Sequence, residues 1–401
     1  MTVLIVHPGT QYAGHLAREL YKSGHLARFW TGFALAQDGL AGRLLNFLPG
    51  KFQRSFANRM VSGVPSSFIK TRPLIEWQAL RALRSEREPE TVFYERNRCF
   101  QLAIPDSEIE RADVVVGYDT SSWIIAKRAK ALGKKFILDQ SIGHPLAKER
   151  IYSELRSRFP AWTTAVVPKP AQCLDVERIE HELADVIVAP SGFVRDTLVG
   201  AGVASEKVRI IPFGTDLKLF HSNPARVADE RRKVVFLFVG ILNARKGLPV
   251  LIEAWAKIRP VNAELWLVGG GQIPAEVMSA LPDTVKCLGR RPKSEVAELM
   301  RQADLFVLPS FFEGLAQVQI EALASGLPII GTRESGAGEL VREGQNGFVV
   351  SAGDVDELAN RMRRVATDPV LRLSLQESSS AGRACLSWDT YGMHWSQCLK
   401  S

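Results

Sequence analysis

The chain has 401 residues, of which 46% are hydrophobic and 23% charged, and its formal net charge is +8. This length favours two domains, because a single hydrophobic core rarely grows so large. The composition excludes a disordered or collagen-like chain, and the lack of 18 consecutive apolar residues argues against a membrane-spanning helix. The apolar run at residues 2–6 is too short for a signal peptide, so we expect a cytoplasmic protein.

Short β-branched runs alternate with helical stretches along the whole chain. This alternation predicts an α/β protein with parallel sheets covered by helices. Runs that are apolar at nearly every position are typical of strands buried on both faces. The predicted strands are residues 3–6, 114–116, 136–138, 186–188, 234–239, 265–268, 305–308 and 329–331.

Positive charge is concentrated in residues 39–75. Its basic residues are Arg43, Lys51, Arg54, Arg59, Lys70 and Arg72. Because they are interleaved with leucine and phenylalanine and the stretch has no acidic residue, the segment suits an anionic lipid surface. The alternatives are a helical hairpin with a solvated basic face and nucleic-acid binding. No nucleic-acid partner is expected, since no known nucleic-acid-binding motif accompanies the segment.

A second change of composition lies between the two halves of the chain. Residues 213–233 bring glycine, proline, asparagine and charge together, and a new apolar strand follows them. This pattern predicts an interdomain linker.

The chain lacks the motifs of two common classes of nucleotide-binding α/β protein. Residues 7–14 (HPGTQYAG) do not form the GxGxxG of a dinucleotide-binding dehydrogenase, and after Gly269 the place of the third glycine is taken by Pro274. The glycine loop of a P-loop NTPase does not precede Lys246.

The most informative segment is residues 309–328, PSFFEGLAQVQIEALASGLP. It follows a predicted strand, and ligands of open α/β sheets bind at such strand-to-helix corners. Gly314 lets the backbone approach a ligand, and amides near Leu315 and Ala316 at the predicted helix start can hold a phosphate. Glu313 and Glu321 are expected on one helix face, one near a sugar and the other near a ribose diol. Ordinary capping and dipole effects are the alternative explanation of these glutamates.

At this segment the chain resembles the retaining glycosyltransferases of family 4, also called glycosyl transferases group 1. The two glutamates stand in the family-like phrase EGLAQVQIEALASGLPII. Other family-like phrases follow the expected order: IPFGTDLKLF, FVGILNARKGL, LWLVGGG, CLGRRPKSEVAELMRQADLFVLPS and SGAGELVREGQNGFVV. The resemblance is good over residues 208–357 and loose over residues 1–207.

The resemblance implies the GT-B fold, in which two Rossmann-like doubly wound domains face each other across a cleft. We expect an acceptor-side domain at residues 1–212 and a nucleotide-sugar-binding domain at residues 213–385. Residues 386–401 are expected to form a helix that crosses back to the first domain, with its aromatic residues used for packing.

The resemblance also implies roles for residues of the second domain. Glu321 would accept hydrogen bonds from the ribose, and Glu313 would lie beside the transferred sugar. Lys246 would neutralise the leaving diphosphate, as chemistry requires of an enzyme without a metal. Family members often carry an arginine where this chain has Ile241, and Arg245 is expected to replace its charge. Further expected donor-binding residues are Gly314, Leu315, Ala316, Gly240, Gly269, Gly289 and Arg290.

In the first domain the candidates follow predicted strands. Gly9 and Thr10 are expected to approach the donor, and His144 to touch the sugar as a catalytic residue. Asp119 and Asp139 are weaker candidates for contact with the acceptor.

The resulting expectation is a retaining, metal-independent hexosyltransferase that uses a nucleoside diphosphate sugar and no cofactor. No residue cluster has metal-ligand spacing, and no DxD motif lies between strands. The acceptor is expected to be a glycan or glycolipid of a surface polysaccharide, met on the inner face of the membrane. The alternatives are a nucleotide-sugar epimerase on the same fold and a sugar-nucleotide-binding protein without catalysis.

Overall fold

The computed structural model describes residues 1–9, 12–39, 59–85, 87–162, 171–222 and 233–400. Its strands are β1 (Val3–His7), β2 (Leu26–Thr31), β3 (Leu35–Ala36), β4 (Met60–Val61), β5 (Ile69–Thr71), β6 (Val114–Tyr118), β7 (Lys135–Asp139), β8 (Val186–Ala189), β9 (Val208–Ile210), β10 (Val234–Val239), β11 (Ala263–Val268), β12 (Val285–Gly289), β13 (Leu305–Leu308), β14 (Ile329–Thr332) and β15 (Gly347–Val350).

Helices alternate with these strands. They are α1 (Ala13–Lys22), α2 (Pro73–Leu83), α3 (Pro89–Leu102), α4 (Asp106–Glu110), α5 (Trp123–Ala131), α6 (Pro145–Arg158), α7 (Ala171–Leu183), α8 (Gly192–Val199), α9 (Leu248–Ile258), α10 (Ala275–Ser279), α11 (Lys293–Gln302), α12 (Gln317–Ala324), α13 (Val355–Thr367), α14 (Pro369–Ala381) and α15 (Trp388–Lys400). Short 3-10 turns lie at Ser66–Phe68, Pro160–Trp162, Ser205–Lys207, Arg333–Ser335, Ala337–Glu339 and Arg383–Leu386. None of the described helices is long and apolar enough to cross a bilayer.

The first sheet is parallel, with the strand order β5-β2-β1-β6-β7-β8-β9. Strand β1 pairs with β2 on one side and with β6 on the other, where Val3 is opposite Val114. The order of the strands reverses between β1 and β6. The carboxyl ends of these two strands therefore border the crevice in which doubly wound sheets bind ligands.

The second sheet is also parallel, with the order β12-β11-β10-β13-β14-β15. Every residue of β10 is buried, because helices cover both faces of the sheet. Here the order reverses between β10 and β13, which places a second crevice at the carboxyl ends of those strands. The predicted α/β fold with two doubly wound parallel sheets is confirmed, and all eight predicted strands lie in strands of the structure.

The last helix, α15, lies against the first domain. Its apolar face carries Trp388, Tyr391 and Trp395, whose spacing of three and four residues repeats with the helix turn. Trp388 stacks on His15 of α1 with ring centroids 3.9 Å apart, and the three aromatic residues belong to the core around β1. The chain thus returns to the first sheet after completing the second.

The first sheet ends at Ile210 and the second begins at Val234. Residues 223–232 of the predicted linker lie outside the described residues. The domain limits of 1–212, 213–385 and 386–401 stay a prediction.

Candidate active site

Two loops meet at the crevice of the second sheet, one after β10 and the other after β13. Gly247 makes this approach possible: its φ is +73°, and a Cβ built on it would overlap the carbonyl of Pro309. The Phe311 amide also donates to the Arg245 carbonyl over 2.8 Å. The predicted residues Arg245, Lys246 and Glu313 are brought together by these contacts.

The three charged side chains form one cluster. Lys246 Nζ lies 2.7 Å from Glu313 Oε1, and the Arg245 guanidinium binds the same oxygen. Arg245 also donates to the Phe312 carbonyl over 2.8 Å. Burial, and then the charge of Arg245, lower the pKa of Lys246, while Glu313 opposes this shift. Two cations share one carboxylate, so the cluster keeps one positive charge that an anion can use.

Tyr152 on α6 reaches this cluster from the first domain. Burial raises the pKa of its hydroxyl, and the charges of Arg245 and Glu313 both act on it. Sequence reasoning missed Tyr152, because a tyrosine within a polar helix carries no motif.

The loop after β13 ends in helix α12, which begins at Gln317. Glu313 therefore lies before the helix, and the expectation that it shares a helix face with Glu321 is wrong. We expected the Ala316 amide to be free to bind a phosphate. Instead it donates a hydrogen bond to the Ser335 carbonyl over 3.0 Å. Within the described chain, no hydrogen bond occupies the amides of Gly314 and Leu315. These two amides stay available to an anion.

Glu321 is buried in the first turns of α12. Lys293 Nζ lies 2.8 Å from its Oε1. Burial raises the pKa of Glu321, while the charge of Lys293 opposes this shift. Sequence reasoning missed Lys293. A lysine at the first position of a helix is unfavourable beside the positive end of the helix dipole, so its position could have indicated a nearby carboxylate.

The remaining donor-site candidates of the second domain lie at neighbouring strand ends. A Cβ on Gly240 would contact the side chain of Lys246 at 3.6 Å. Gly269 approaches the Gly240 backbone, and Arg290 lies over Gly270. Gly289 ends β12. These residues therefore continue from the Lys246 cluster along the carboxyl edge of the sheet.

The first domain closes directly on the loop after β13. A Cβ built on Gly314 would overlap the Ser141 carbonyl oxygen. Ser191 Oγ donates to the Gly314 carbonyl over 2.6 Å. The Glu339 carboxylate accepts from the Gly192 amide over 2.7 Å. Glu339 thus caps helix α8 of the other domain.

His144 lies elsewhere in the first domain. Its Nδ1 accepts from the Leu146 amide over 3.2 Å and caps α6, and its ring lies 5.5 Å from that of His181. It lines a cavity formed by first-domain residues. The turn into α6 thus places the ring of His144 beside His181 of α7, and its role as a catalytic residue stays a prediction.

The two candidate aspartates accept hydrogen bonds from protein groups around the crevice of the first sheet. Asp139 is buried, accepts a hydrogen bond from Tyr12 over 3.0 Å, and has its pKa raised well above the ordinary value by burial. Direct contact of Asp139 with an acceptor is thus not supported. Asp119 accepts from the Ser141 amide and hydroxyl over 3.0 Å and lines a cavity together with Gly9. Thr10 lies outside the described residues.

No group of three or more histidine, cysteine, aspartate or glutamate side chains suited to a metal ion occurs in the described ranges. The use of a metal or a cofactor is left open by this finding.

Comparison with known proteins indicates a glycosyltransferase. Residues 233–368 match the family model described as Glycosyl transferases group 1. The chain is similar to the group 1 glycosyltransferases over this stretch, and glycosyltransferase activity is the function that the matches support. This glycosyltransferase is 26% identical to the MMP alpha-(1->4)-mannosyltransferase of Mycolicibacterium hassiacum over 378 residues, which cover 90% of this chain and 87% of that protein. It is 28% identical to the D-inositol 3-phosphate glycosyltransferase of Corynebacterium jeikeium over 235 residues, 52% of this chain and 56% of that protein.

Solved structures support the same fold. The glycosyltransferase superposes on Anabaena HepE in complex with UDP with a TM-score of 0.64, at 19% identity and full coverage of both chains. For sucrose-phosphate synthase from Thermosynechococcus elongatus the TM-score is 0.65 at 20% identity, covering 100% of this chain and 98% of that one. The fold is GT-B, as expected. The epimerase and the non-catalytic binding protein are not favoured by these matches.

Proposed function

We propose that this glycosyltransferase moves a hexosyl group from a nucleoside diphosphate sugar to a glycan or glycolipid with retention of configuration and without a metal ion. The observation that carries the proposal is the cluster of Arg245, Lys246 and Glu313 beside the open amides of Gly314 and Leu315. It joins a net positive charge to two backbone N–H groups that have no hydrogen-bond acceptor in the described chain, at the crevice of the second sheet. This is the chemistry that a departing diphosphate requires.

In the proposed reaction the bond between the sugar C1 and the diphosphate oxygen breaks, and its electron pair leaves with the diphosphate. Lys246, Arg245 and the amides stabilise that charge. The acceptor hydroxyl forms the new bond to C1 on the same face, and its proton passes to the departing phosphate oxygen. Glu313, released in part from the two cations when the diphosphate binds, lies beside the sugar, and Glu321 receives the ribose hydroxyls.

The named relatives support the donor class. One is a mannosyltransferase, and Anabaena HepE was solved with UDP and with UDP-glucose. These names concern those proteins, and we extend to this chain only the class of a nucleoside diphosphate sugar. The base and the hexose are to be determined by experiment.

The test is to incubate the protein with UDP-, GDP- and ADP-sugars, with and without lipid or glycan extracts, and to measure released nucleotide. NMR of the product then gives the anomeric configuration. We expect acceptor-dependent release, retention, and full activity in EDTA. Inversion, or activity that EDTA abolishes and manganese restores, would contradict the proposed mechanism. Conversion of the donor without an acceptor would identify an epimerase.

We also propose that the first domain meets its acceptor at an anionic membrane. Residues 40–58 of the basic segment lie outside the described residues, whereas Arg59 pairs with Glu76 and Arg72 lies over the ring of Trp30. Next to it, helix α2 exposes Leu74, Trp77 and Leu80 to 73%, 57% and 46%. Arg81 and Arg84 are also exposed, whereas the acidic residue of the helix, Glu76, is buried. An exposed apolar and basic helix face of this kind suits the headgroup region of an anionic bilayer.

Liposome sedimentation tests this surface. We expect binding to vesicles that contain phosphatidylglycerol and not to neutral phosphatidylcholine vesicles, decreasing as salt rises. Replacing Leu74, Trp77 and Leu80 by serine should abolish it. The matched control is Val261→Ser, since Val261 is 98% exposed on the second domain. Equal sedimentation of both variants would show that α2 does not contact the membrane.

A further inference from the structure

The loop between β13 and α12 carries two buried backbone N–H groups, those of Gly314 and Leu315, that have no hydrogen-bond acceptor within the described chain. The amides on either side of them, those of Glu313 and Ala316, donate to carbonyls of the turn after β14. Buried backbone N–H groups are almost always paired in folded proteins. The two free N–H groups therefore indicate a ligand that accepts hydrogen bonds, and the proposed ligand is the diphosphate of the donor.

The carbonyl group between these two N–H groups is bound by the first domain. Ser191 Oγ donates to the Gly314 carbonyl over 2.6 Å, and Ser191 is fully buried. This carbonyl and the Leu315 N–H group belong to the same peptide bond. Because the bond is trans and planar, its C=O and N–H groups point in opposite directions. A side chain that fixes the direction of the Gly314 carbonyl therefore also fixes the direction of the Leu315 N–H group.

The same hydrogen bond makes the Leu315 N–H group a stronger donor. Hydrogen bonds that share one peptide group polarise each other, since electron density drawn to the carbonyl oxygen leaves the N–H hydrogen more positive. Ser191 Oγ also accepts a hydrogen bond from the Val194 amide over 3.4 Å, as the N-cap of α8. A chain of hydrogen bonds thus runs from the amino-terminal end of α8, where the helix dipole is positive, to the Leu315 N–H group.

Contacts beside Ser191 keep its hydroxyl close to this loop. The amide of the next residue, Gly192, donates to the Glu339 carboxylate of the second domain over 2.7 Å. The Ser141 carbonyl of the first domain lies so near Gly314 that a Cβ built there would overlap it. The distance between Ser191 Oγ and the Gly314 carbonyl is therefore set by how closely the two domains approach each other.

We infer that Ser191 is a positioning residue for donor binding, which orients and polarises the Leu315 N–H group toward the diphosphate when the domains are closed. This inference rests on the proposed donor site around Lys246 and Glu313. A phosphate-binding N–H group of the second domain then depends on a hydroxyl of the first domain. Opening of the domains removes that hydroxyl, so the closed arrangement binds the diphosphate more tightly than the open one.

Nucleotide binding to the full chain tests this role. Isothermal titration with UDP, GDP and ADP identifies the diphosphate that binds, and saturation-transfer NMR gives the affinity for the corresponding nucleoside. Ser191→Ala removes the hydroxyl. Ser191→Thr keeps it, and the extended backbone at this position suits a β-branched residue. The matched control is Arg158→Ala, because Arg158 also donates from the first domain to a glycine carbonyl of the second, that of Gly353, over 2.7 Å.

An NMR signal reports on the Leu315 amide itself. The chain contains four Gly-Leu pairs, so labelling glycine carbonyls and leucine amides with the NMR-active isotopes of carbon and nitrogen gives four amide signals in a carbonyl-selected spectrum. Leu315→Met identifies the Leu315 signal by removing it. A new hydrogen bond to phosphate moves the amide proton downfield, and this shift is compared between the wild type and the variants.

We expect Ser191→Ala to bind the diphosphate about 10-fold or more weakly than the wild type, the loss expected for one hydrogen bond to a charged group. The nucleoside should bind both proteins equally, since it has no phosphate. Ser191→Thr and Arg158→Ala should keep the affinity of the wild type for the diphosphate. The diphosphate should move the Leu315 proton downfield in these two variants and in the wild type, and much less in Ser191→Ala.

Unchanged diphosphate affinity in Ser191→Ala would overturn the inference. An equal loss for the nucleoside, or an equal loss in Arg158→Ala, would show that Ser191 acts only by holding the domains together and would likewise overturn it. An equal loss in Ser191→Thr would assign the effect to packing instead of the hydroxyl, with the same result. If the wild type binds no nucleoside diphosphate, the proposed donor site is wrong and the inference fails with it. Binding that Ser191→Ala retains in full contradicts the inference alone.

Discussion

Lys246 Nζ and Glu313 Oε1 lie 2.7 Å apart, although the two residues follow different strands, β10 and β13. The carboxylate also binds Arg245. Glu313 therefore neutralises part of the positive charge of Arg245 and Lys246. If the cluster binds the diphosphate of the donor, as we propose, donor binding loosens these ion pairs and so couples arrival of the diphosphate to release of the Glu313 carboxylate.

Lys246→Ala should reduce kcat more than it weakens the donor, because its charge is most valuable as the diphosphate departs. Loss of one group that stabilises a developing anion typically costs about 100-fold or more in rate. Steady-state kinetics and direct nucleotide titration separate the two effects. Lys257→Ala is the matched control, since Lys257 also pairs with a carboxylate, that of Asp356, but on the surface. Equal losses in kcat and donor affinity would indicate simple ground-state binding.

Glu321→Ala should weaken the donor by about 1.5 to 3 kcal/mol, roughly 10- to 150-fold, because a ribose hydroxyl pair loses a charged acceptor. Isothermal titration with the preferred nucleotide measures this. Unchanged affinity would refute the assignment.

The protonation of Glu321 makes a separate prediction about pH. Burial raises its pKa above the ordinary value of 4.5, so the carboxylate takes up a proton at a higher pH than an exposed glutamate does. Donor affinity should fall as pH decreases through that raised pKa. In Glu321→Gln the same titration should be flat in this range. A fall of equal size in the glutamine variant would assign the pH dependence to another group.

Gly314→Ala should impair closure of the two domains, because its Cβ would overlap the Ser141 carbonyl of the first domain. We expect a lower melting temperature and strongly reduced transfer. Small-angle scattering should show a larger radius of gyration. Gly338→Ala is the control, since a Cβ there meets no atom within 4 Å. If the two variants behave alike, the close approach of Gly314 to Ser141 is unimportant.

His7→Phe should become progressively more stable than the wild type as pH falls below 6.5. Burial, and then the positive charge of Arg96 on α3, lower the pKa of His7 from 6.5 to about 3. Between these values the unfolded chain binds a proton that the folded chain does not. The wild type therefore loses up to about 1.4 kcal/mol per pH unit from this group.

Urea unfolding at pH 7, 6 and 5 measures that difference. The pKa values of His15 and His181 are also lowered, to about 4. Both residues are present in both proteins, so their contributions to the difference in unfolding free energy cancel. The other groups that face His7 are Tyr118, Glu90 and Asp119. A stability difference that does not change with pH would show that His7 has the same pKa in the folded and unfolded states.

All eight predicted strands lie inside the sheets, and β2 is the one inner strand of the two sheets that was not predicted. Strands such as β10 are buried on both faces, so their apolar runs stand out in the sequence. The strands that were not predicted include β5 (IKT), β9 (VRI) and β15 (GFVV), which lie at the sheet edges. An edge strand has one neighbouring strand and partial exposure. Its sequence is therefore short and mixed, and its place is set by the strand beside it.

Resemblance to the motifs of a glycosyltransferase family, together with the spacing of the two glutamates after a predicted strand, selected Arg245, Lys246, Glu313 and Glu321. It could not establish which partner each charge has. Glu313 was expected on a helix face with Glu321, but the helix begins only at Gln317, and the two carboxylates pair with different cations. The ion-pair partner of each carboxylate depends on how two strands and a helix N-terminus are arranged in the tertiary structure.

The amino-acid sequence by itself determined the α/β class and most of the inner strands, because local periodicity carries that information, and its resemblance to a known family named the charged residues of the second domain. Only the tertiary structure decided that Lys293 pairs with Glu321, that Glu339 caps a helix of the other domain, and that the ring of His144 lies beside His181. It also buried His7 without a partner. These contacts join residues far apart in the chain, so their energies depend on the packing of the two domains and leave no periodic signal in the sequence.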